Sequence, residues 1–350
     1  MVEVNMKLKN ENNFKKIAEL TGFSPSTISM VLNNKSDKFR IAEKTSERIL
    51  QAANEIGYQH VIRAKQRKKN FKKMLLCVFC PSNFDKGPID QFYTGFKKYI
   101  IENHLQYETV LFPYELGKFK EKAAWVSGDF IAGAVLIVLT EDDLVFIENT
   151  RFDVPLVLFN RTAKGYSSVL IDDYNAGNNA MSHFLKRGHK KFGIICANYS
   201  SRSLSLRTVG YLDKFRSLNF KPEEAFLSPA AFDDDSDMGG YNAMQQILQS
   251  QKIPTAIFVP CDNMVNGVIR CINENGFKVP DDFEIISYGN KSINCIVNPN
   301  VSSFAPPWEE MSYNCAKILN NYIKNGIYSD CVKLSFEAEC IYRESCPAVP

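Results

Sequence analysis

From Met74 to the C-terminus, short apolar runs alternate with segments of helical periodicity, and this alternation narrows the fold more than any other feature. Strand-like runs lie at Met74 to Cys80, Tyr107 to Phe112, Gly133 to Leu139, Val154 to Phe159, Ser168 to Ile171, Lys191 to Cys196, Ala256 to Val259 and Phe283 to Ser287. Helical patterns at Asp90 to Glu102, Tyr174 to Arg187, Arg207 to Ser217, Gly239 to Ser250 and Asn263 to Glu274 separate them. Short continuous apolar runs suit strands covered on both faces, and the intervening helices supply the crossovers that parallel strands need. The pattern predicts an α/β body of parallel sheets with helices on both faces. About ten strands exceed one mononucleotide-type unit, so two lobes are expected.

The first 73 residues differ in kind. They hold 16 Lys and Arg against 7 Asp and Glu, whereas the rest of the chain holds 26 against 32. A basic head on an acidic body points to a polyanionic partner for the head. Residues 14 to 58 read as three short helices. Phe14, Ile17, Ala18 and Thr21 share one face, Gly22 breaks the helix, and Ser24-Pro25 restarts it as N-cap and first helical residue. Ile28, Val31 and Leu32 form the buried stripe of the second helix, and Ala42 to Ile56 forms a third, ended by Gly57. Two helices joined by a tight glycine turn and propped by a third make a helix-turn-helix, and any small three-helix bundle is the alternative.

The run from Ile17 to Asn34 (IAELTGFSPSTISMVLNN), continued by Ala42-Glu43-Lys44-Thr45, Ile49 and Gly57-Tyr58, resembles the headpiece of the LacI–GalR family of bacterial transcription regulators. The resemblance implies that Pro25, Ser26 and Met30 read bases, and that Ser24, Thr27, Ser29 and Asn33 touch phosphate. Met30 stands where the family commonly has arginine or histidine, so it offers an apolar contact in place of a bidentate pair with guanine. The alternative is that Met30 only packs. Tyr58 to Lys73 is a cation-rich linker with Arg63 and Arg67. The resemblance makes it a hinge helix on DNA. Arg67 replaces the family's minor-groove leucine, which favours a narrow A·T groove over an apolar wedge. A linker that adds only sequence-independent affinity is the competing reading.

The likeness extends through the body, at Val169 to Asn175, Lys186 to His189, Arg207 with Gly210, Gly240-Tyr241, Pro254 to Phe258, Gly276 to Pro280 and Val301 to Pro307. It implies a two-lobed periplasmic-binding-protein fold, with a headpiece at 1–58 and a linker at 59–73. Lobe one would hold about 74–172 and 304–328, and lobe two about 173–303 and 329–350. Ser82, Asn83, Asn160, Arg207, Asp262, Gly289 and Asn290 would sit at the cleft mouth. There Arg207 would hold a ligand, the alternative being an arginine that caps nearby loops. Gly289 and Asn160 replace aspartates frequent in the family, which removes two acceptors for a polyol or base.

The resulting expectation is a homodimeric repressor, paired mainly through the first lobe near Asp90 to Glu102. It would bind an approximately palindromic double-stranded operator in the cytoplasm and answer to a small effector, a sugar or a nucleobase. A sensor with only non-specific DNA binding and a regulator under a protein partner remain open.

Other signals carry less. The longest apolar run, Phe130 to Leu139, is about half a membrane span. The polar N-terminus predicts no secretory signal. Ten scattered cysteines read as reduced core thiols, and Cys77 and Cys80 should point to opposite strand faces, against redox use. The four dispersed histidines form no visible metal cluster, and Asp233-Asp234-Asp235 with Asp237 lacks the glycine and closing glutamate of a calcium loop. No cofactor and no catalytic machinery are expected.

Overall fold

The structure is a computed structural model that describes residues 16–32, 39, 41–56, 75–82, 86–199, 201–221, 224–228, 230–325 and 331–349. Asn33, the linker with Arg63 and Arg67, and Asn83 lie outside the described residues.

The head holds α1 (16–21), α2 (Pro25–Leu32) and α3 (Glu43–Glu55). Gly22, at φ +75°, ends the first helix with its N–H on the carbonyl of Ala18 at 2.8 Å. Ile17, Ile28, Val31, Leu32, Ile49, Ala52 and Ala53 bury one small core, with Phe23 and Ile41 against it. These are the stripes that the periodicity marks.

The body contains two sheets. The first runs β12-β5-β4-β3-β1-β2, from β1 (Leu75–Pro81), β2 (Glu108–Tyr114), β3 (Gly133–Ile137), β4 (Leu156–Phe159), β5 (Ser167–Ile171) and β12 (Lys333–Phe336), and every pairing is parallel. The second runs β13-β11-β10-β9-β6-β7, from β6 (Lys191–Ala197), β7 (Phe226–Leu227), β9 (Ala256–Val259), β10 (Glu284–Tyr288), β11 (Ser302–Ala305) and β13 (Glu339–Ile341). In it β8 (Ala231–Asp233) also pairs with β6, and β13 alone is antiparallel. Strand β1 shows why continuous apolar runs are needed. Leu76, Val78 and Cys80 enter the core on one face, while Cys77 and Phe79 enter the core on the other. The two thiols do face apart, and burial lifts Cys77 to about 11, which leaves it unreactive.

Helices α4 (Lys86–Glu102), α5 (Phe119–Lys122), α6 (Glu141–Glu148), α7 (Asp173–Lys186), α8 (Arg202–Arg216), α9 (Asp237–Leu248), α10 (Val265–Glu274) and α11 (Trp308–Asn325) cover the sheets. Sequence reading missed α5, α6 and α11. Helix α6 starts from a capping box in which Thr140 and Asp143 bond reciprocally, and Asp143, only 2% exposed, also accepts the N–H of Phe119.

Two boundaries differ from expectation. Lys333 to Phe336 pairs with β5 in the first sheet, so the chain joins the second sheet at Glu339 and not near residue 329. Likewise β11, to Ala305, stays in the second sheet before α11 crosses. The half-buried edge strand β12 alternates exposed and partly buried residues and lacks the continuous apolar run that marks the inner strands. The C-terminal strap closes on Glu284, which accepts Arg187 Nε at 2.6 Å, His189 Nε2 at 2.9 Å and Cys346 Sγ at 3.1 Å.

Candidate functional site

Two surfaces collect the residues singled out by sequence. The first is the outward side of α2. Ser24 caps it, with Thr27 N–H donating to Ser24 Oγ at 3.2 Å and the hydroxyls of Ser26 and Thr27 at 2.8 and 2.9 Å. Ser24, Pro25 and Ser26 are exposed, while Thr27, Ser29 and Met30 are half-buried along the flanks. Ile28 is fully buried on the opposite side. An eight-residue helix thus offers hydroxyls at its exposed N-terminal end, an arrangement suited to phosphate and base edges.

The second is a cavity of about 640 Å³ between the sheets, at the carboxyl ends of β1, β3, β4, β9 and β10. Three strand ends turn through left-handed backbone there: Val138 at φ 55°, Asn160 at φ 54° and Gly289 at φ 128°. A β-branched residue in this region is strained, and the hydroxyl of Tyr114 holds the turn from 3.0 and 2.9 Å of the carbonyl oxygens of Ile137 and Val138. Asparagine tolerates the same region, and Asn160 exploits it. Its Nδ2 donates to Ser203 Oγ at 3.1 Å on α8, and its Oδ1 accepts the N–H of Ile171 at 3.3 Å. Asn160 therefore links the lobes, with its one carbonyl oxygen already occupied.

Arg207 reaches the cavity because α7 and α8 nearly touch. A Cβ at Gly177 would fall 1.9 Å from the carbonyl oxygen of Arg207, and one at Gly210 would fall 2.0 Å from that of Tyr174. This crossing sets Arg207 above the first turn of α7, where its Nε lies 3.5 Å from Asp173 Oδ1. Nη1 donates to Pro260 O at 2.7 Å and Nε to Ser203 O at 3.2 Å, while the guanidinium lies 3.9 Å from the Tyr288 ring centre. Burial opposes the charge, yet the Asp173 carboxylate outweighs it and holds the Arg207 pKa above its ordinary value. Arg207 thus caps a loop and lines the cavity at once.

Asp262 is 1% exposed and accepts Lys291 N–H at 2.7 Å, Asn294 Nδ2 at 3.0 Å and Ser303 Oγ at 3.3 Å. Gly289 lets it in, since a Cβ there would lie 2.9 Å from Asp262 Oδ2. The glycine removes an acceptor from its own position, while a neighbouring carboxylate fills the space. Ser82 and Asn290, expected at the mouth, do not join the cavity lining. Ser82 Oγ donates to Tyr114 O at 2.9 Å, and Asn290 Oδ1 accepts from Arg343 Nη2 at 2.6 Å, turned toward the C-terminal strap.

Sequence reading missed Asp173, Asp235, Tyr288 and Trp308, all of which line the cavity. Asp235 lies in the aspartate run read as a plain solvated loop, and it accepts Cys261 Sγ at 2.8 Å and Asn263 Nδ2 at 3.1 Å. Asp173 lies two residues beyond β5 and Trp308 follows Pro306-Pro307, so both crossovers were visible in the sequence. Phe159 stands between Phe92, at 4.9 Å, and Trp308, at 5.7 Å, as an aromatic wall. Among the described residues no group of three or more His, Cys, Asp or Glu could hold a metal, and no helix is long and apolar enough to cross a membrane.

Comparison with known proteins matches residues 13–60 to bacterial regulatory proteins of the lacI family, and residues 181–346 to a periplasmic binding protein-like domain. The HTH-type transcriptional repressor PurR of Actinobacillus pleuropneumoniae is 24% identical over 316 residues, covering 89% of this chain and 90% of that protein. A LacI family transcription regulator from Clostridium acetobutylicum shares the fold with a TM-score of 0.70 at 22% identity, over 77% of this chain and 99% of that one. The transcriptional regulator CelR in complex with cellobiose gives 0.66 at 22% identity, over 95% and 99%.

Proposed function

Because the chain belongs to the LacI–GalR family of bacterial transcription regulators, we propose that it is a cytoplasmic repressor that binds an approximately palindromic operator as a homodimer. It is a DNA-binding regulator with a ligand-binding domain, not an enzyme. In this reading 1–58 reads the operator, 59–73 connects, and 74–350 binds the effector and pairs with the second copy. Ser24, Pro25, Ser26, Thr27, Ser29, Met30 and Asn33 meet DNA, joined by Arg63 and Arg67 of the linker. The observation that carries the reading is α2 itself, with Ser24, Pro25 and Ser26 exposed, Met30 half-buried and Ile28, Val31 and Leu32 inward.

One eight-residue helix contacts too few base pairs for tight binding alone, which is the reason for two copies. Ile101, 67% exposed on α4, and Val110 and Leu111 on the edge strand β2 support a pairing face on the first lobe. The effector is a sugar or a nucleobase, seated between the Phe159–Trp308 wall and Arg207. Cellobiose bound to CelR and the aromatic wall both favour a ligand with a flat apolar face. Its binding across Asn160 and Ser203 would shift the lobes and with them the heads.

Selection of duplexes from a random pool by the full-length chain tests this. The expected product is an inverted repeat, bound about a thousandfold more tightly than a scrambled duplex at the same salt. A pool that enriches no sequence contradicts it.

A further inference from the structure

The charges that line the cavity balance, and nearly all are already engaged. Arg161 donates from Nε to Leu139 O at 2.9 Å and from Nη1 to Asn160 O at 2.7 Å. Lys291 Nζ donates to Asn263 Oδ1. Arg207 has its two backbone acceptors, its aromatic neighbour and Asp173. Asp262 and Asp235 are each bonded as described above. Two groups stand apart. By distance and angle neither oxygen of Asp173 nor the Tyr288 hydroxyl completes a hydrogen bond among the described residues, and the two lie near enough that, beside burial, the Asp173 carboxylate raises the Tyr288 pKa. Both are at least nine-tenths buried, at 1% and 5% exposed, and both line the cavity.

A buried carboxylate whose close partner is Arg207 Nε at 3.5 Å, with no hydrogen bond completed, is costly, so Asp173 leaves acceptor capacity open in this cavity. A carboxylate offers about four acceptor directions and no proton, so its complement is a ligand with O–H or N–H groups. Of the lining cations Arg161, Arg207 and Lys291, Arg207 is already countered by Asp173. A phosphoryl or carboxyl group entering here would face that carboxylate at short range, in surroundings that screen poorly.

We propose that Asp173, with Tyr288, is the specificity-determining pair of the cleft. It receives the hydroxyl or amino hydrogens of an uncharged ligand and excludes phosphorylated and carboxylated analogues. This rests on the reading of the cavity as the effector site.

The test is calorimetric titration of the full-length chain with matched probes: ribose and ribose 5-phosphate, glucose and glucose 6-phosphate, galactose and galacturonate, adenine and adenosine 5′-monophosphate. The wild type is expected to bind at least one uncharged probe, with its anionic partner at least tenfold weaker. The near-isosteric Asp173→Asn is expected to narrow that ratio tenfold or more, or to invert it. Tyr288→Phe is expected to weaken the uncharged probe several-fold with no gain for the anion. Unliganded melting temperatures of both variants confirm folding. The proposal is overturned if the wild type takes an anionic probe as well as its uncharged partner, if the ratio survives Asp173→Asn, or if no uncharged probe binds. Probe binding that ignores Trp308→Ala would instead remove the cleft from the effector reading, whereas operator selection needs no effector and tests the regulator independently.

Discussion

The head and the cleft are both polar surfaces backed by apolar cores, but they hold their polar groups in opposite ways. On α2 the hydroxyls face solvent and bond mainly within their own turn, as Ser24 does with Thr27. In the cleft Asp262, Asp235, Arg207 and Asn160 are bonded to backbone or side chains from distant segments. The head is therefore a preformed platform whose binding energy comes from the partner's phosphates and bases. The cleft is a network that a ligand must enter by replacing or adding bonds, some of which join the lobes. A surface of the first kind confers recognition, and one of the second kind couples binding to shape.

The contrast breaks most readily at the head core. Ile28→Ala leaves a void in a small cluster and is expected to cost about 2–5 kcal/mol, enough to unfold the head. Operator binding should vanish while the melting of the body, followed by near-ultraviolet circular dichroism, stays unchanged. Loss of the body transition as well would mean that the two regions fold as one.

Buried charge should matter only in the body. Burial would raise the Glu284 pKa, but hydrogen bonds from His189, Arg187 and Cys346 prevail and lower it from 4.5 to about 2. A carboxylate depressed on folding contributes stability that is fully present above about pH 4.5 and is lost as pH falls toward 2. The contribution is on the order of 3 kcal/mol. Urea titrations between pH 6 and 2 should show this loss in the wild type and a flatter, lower curve in Glu284→Gln. Curves that run parallel would remove Glu284 as the acid-sensitive group.

A third test separates backbone from side-chain causes at the cleft. Gly289→Ala forces a Cβ toward Asp262 Oδ2 at φ 128° and should destabilise the body by about 1–3 kcal/mol, leaving unliganded operator affinity intact. The smallest effect expected is that of Ser24→Ala, which removes the α2 cap at a cost of about 1 kcal/mol to the head, read as a lower head melting temperature.

These differences also explain what the sequence made legible. Ser24 to Met30 is one continuous run on one helix, so spacing alone set its inward and outward faces, and the stripe of Ile28, Val31 and Leu32 is as read. The buried strands of the body were equally plain, because Leu75 to Cys80 must be apolar on both faces. The cleft is assembled from strand ends scattered between Pro81 and Trp308, where one residue of turn decides whether a side chain lines the cavity. Arg207 and Asp262 were found through resemblance, whereas Ser82 and Asn290 fell a residue or two away from the lining. Asp173 escaped because its role depends on Arg207, which only the close crossing of α7 and α8 brings to it. Edge strand β12 escaped because Lys333 to Phe336 alternates in burial and offers no apolar run.

The most direct test of the account is the salt dependence of binding to a selected and a scrambled duplex. If two copies neutralise roughly eight phosphates, log K should fall with log salt at a slope near −7 for the selected duplex. The selected duplex should keep its advantage across the range, because base-edge contacts of the kind proposed for Pro25, Ser26 and Met30 involve no counterions. Two curves that coincide at every salt concentration would leave only charge, and α2 would not be a reader of sequence.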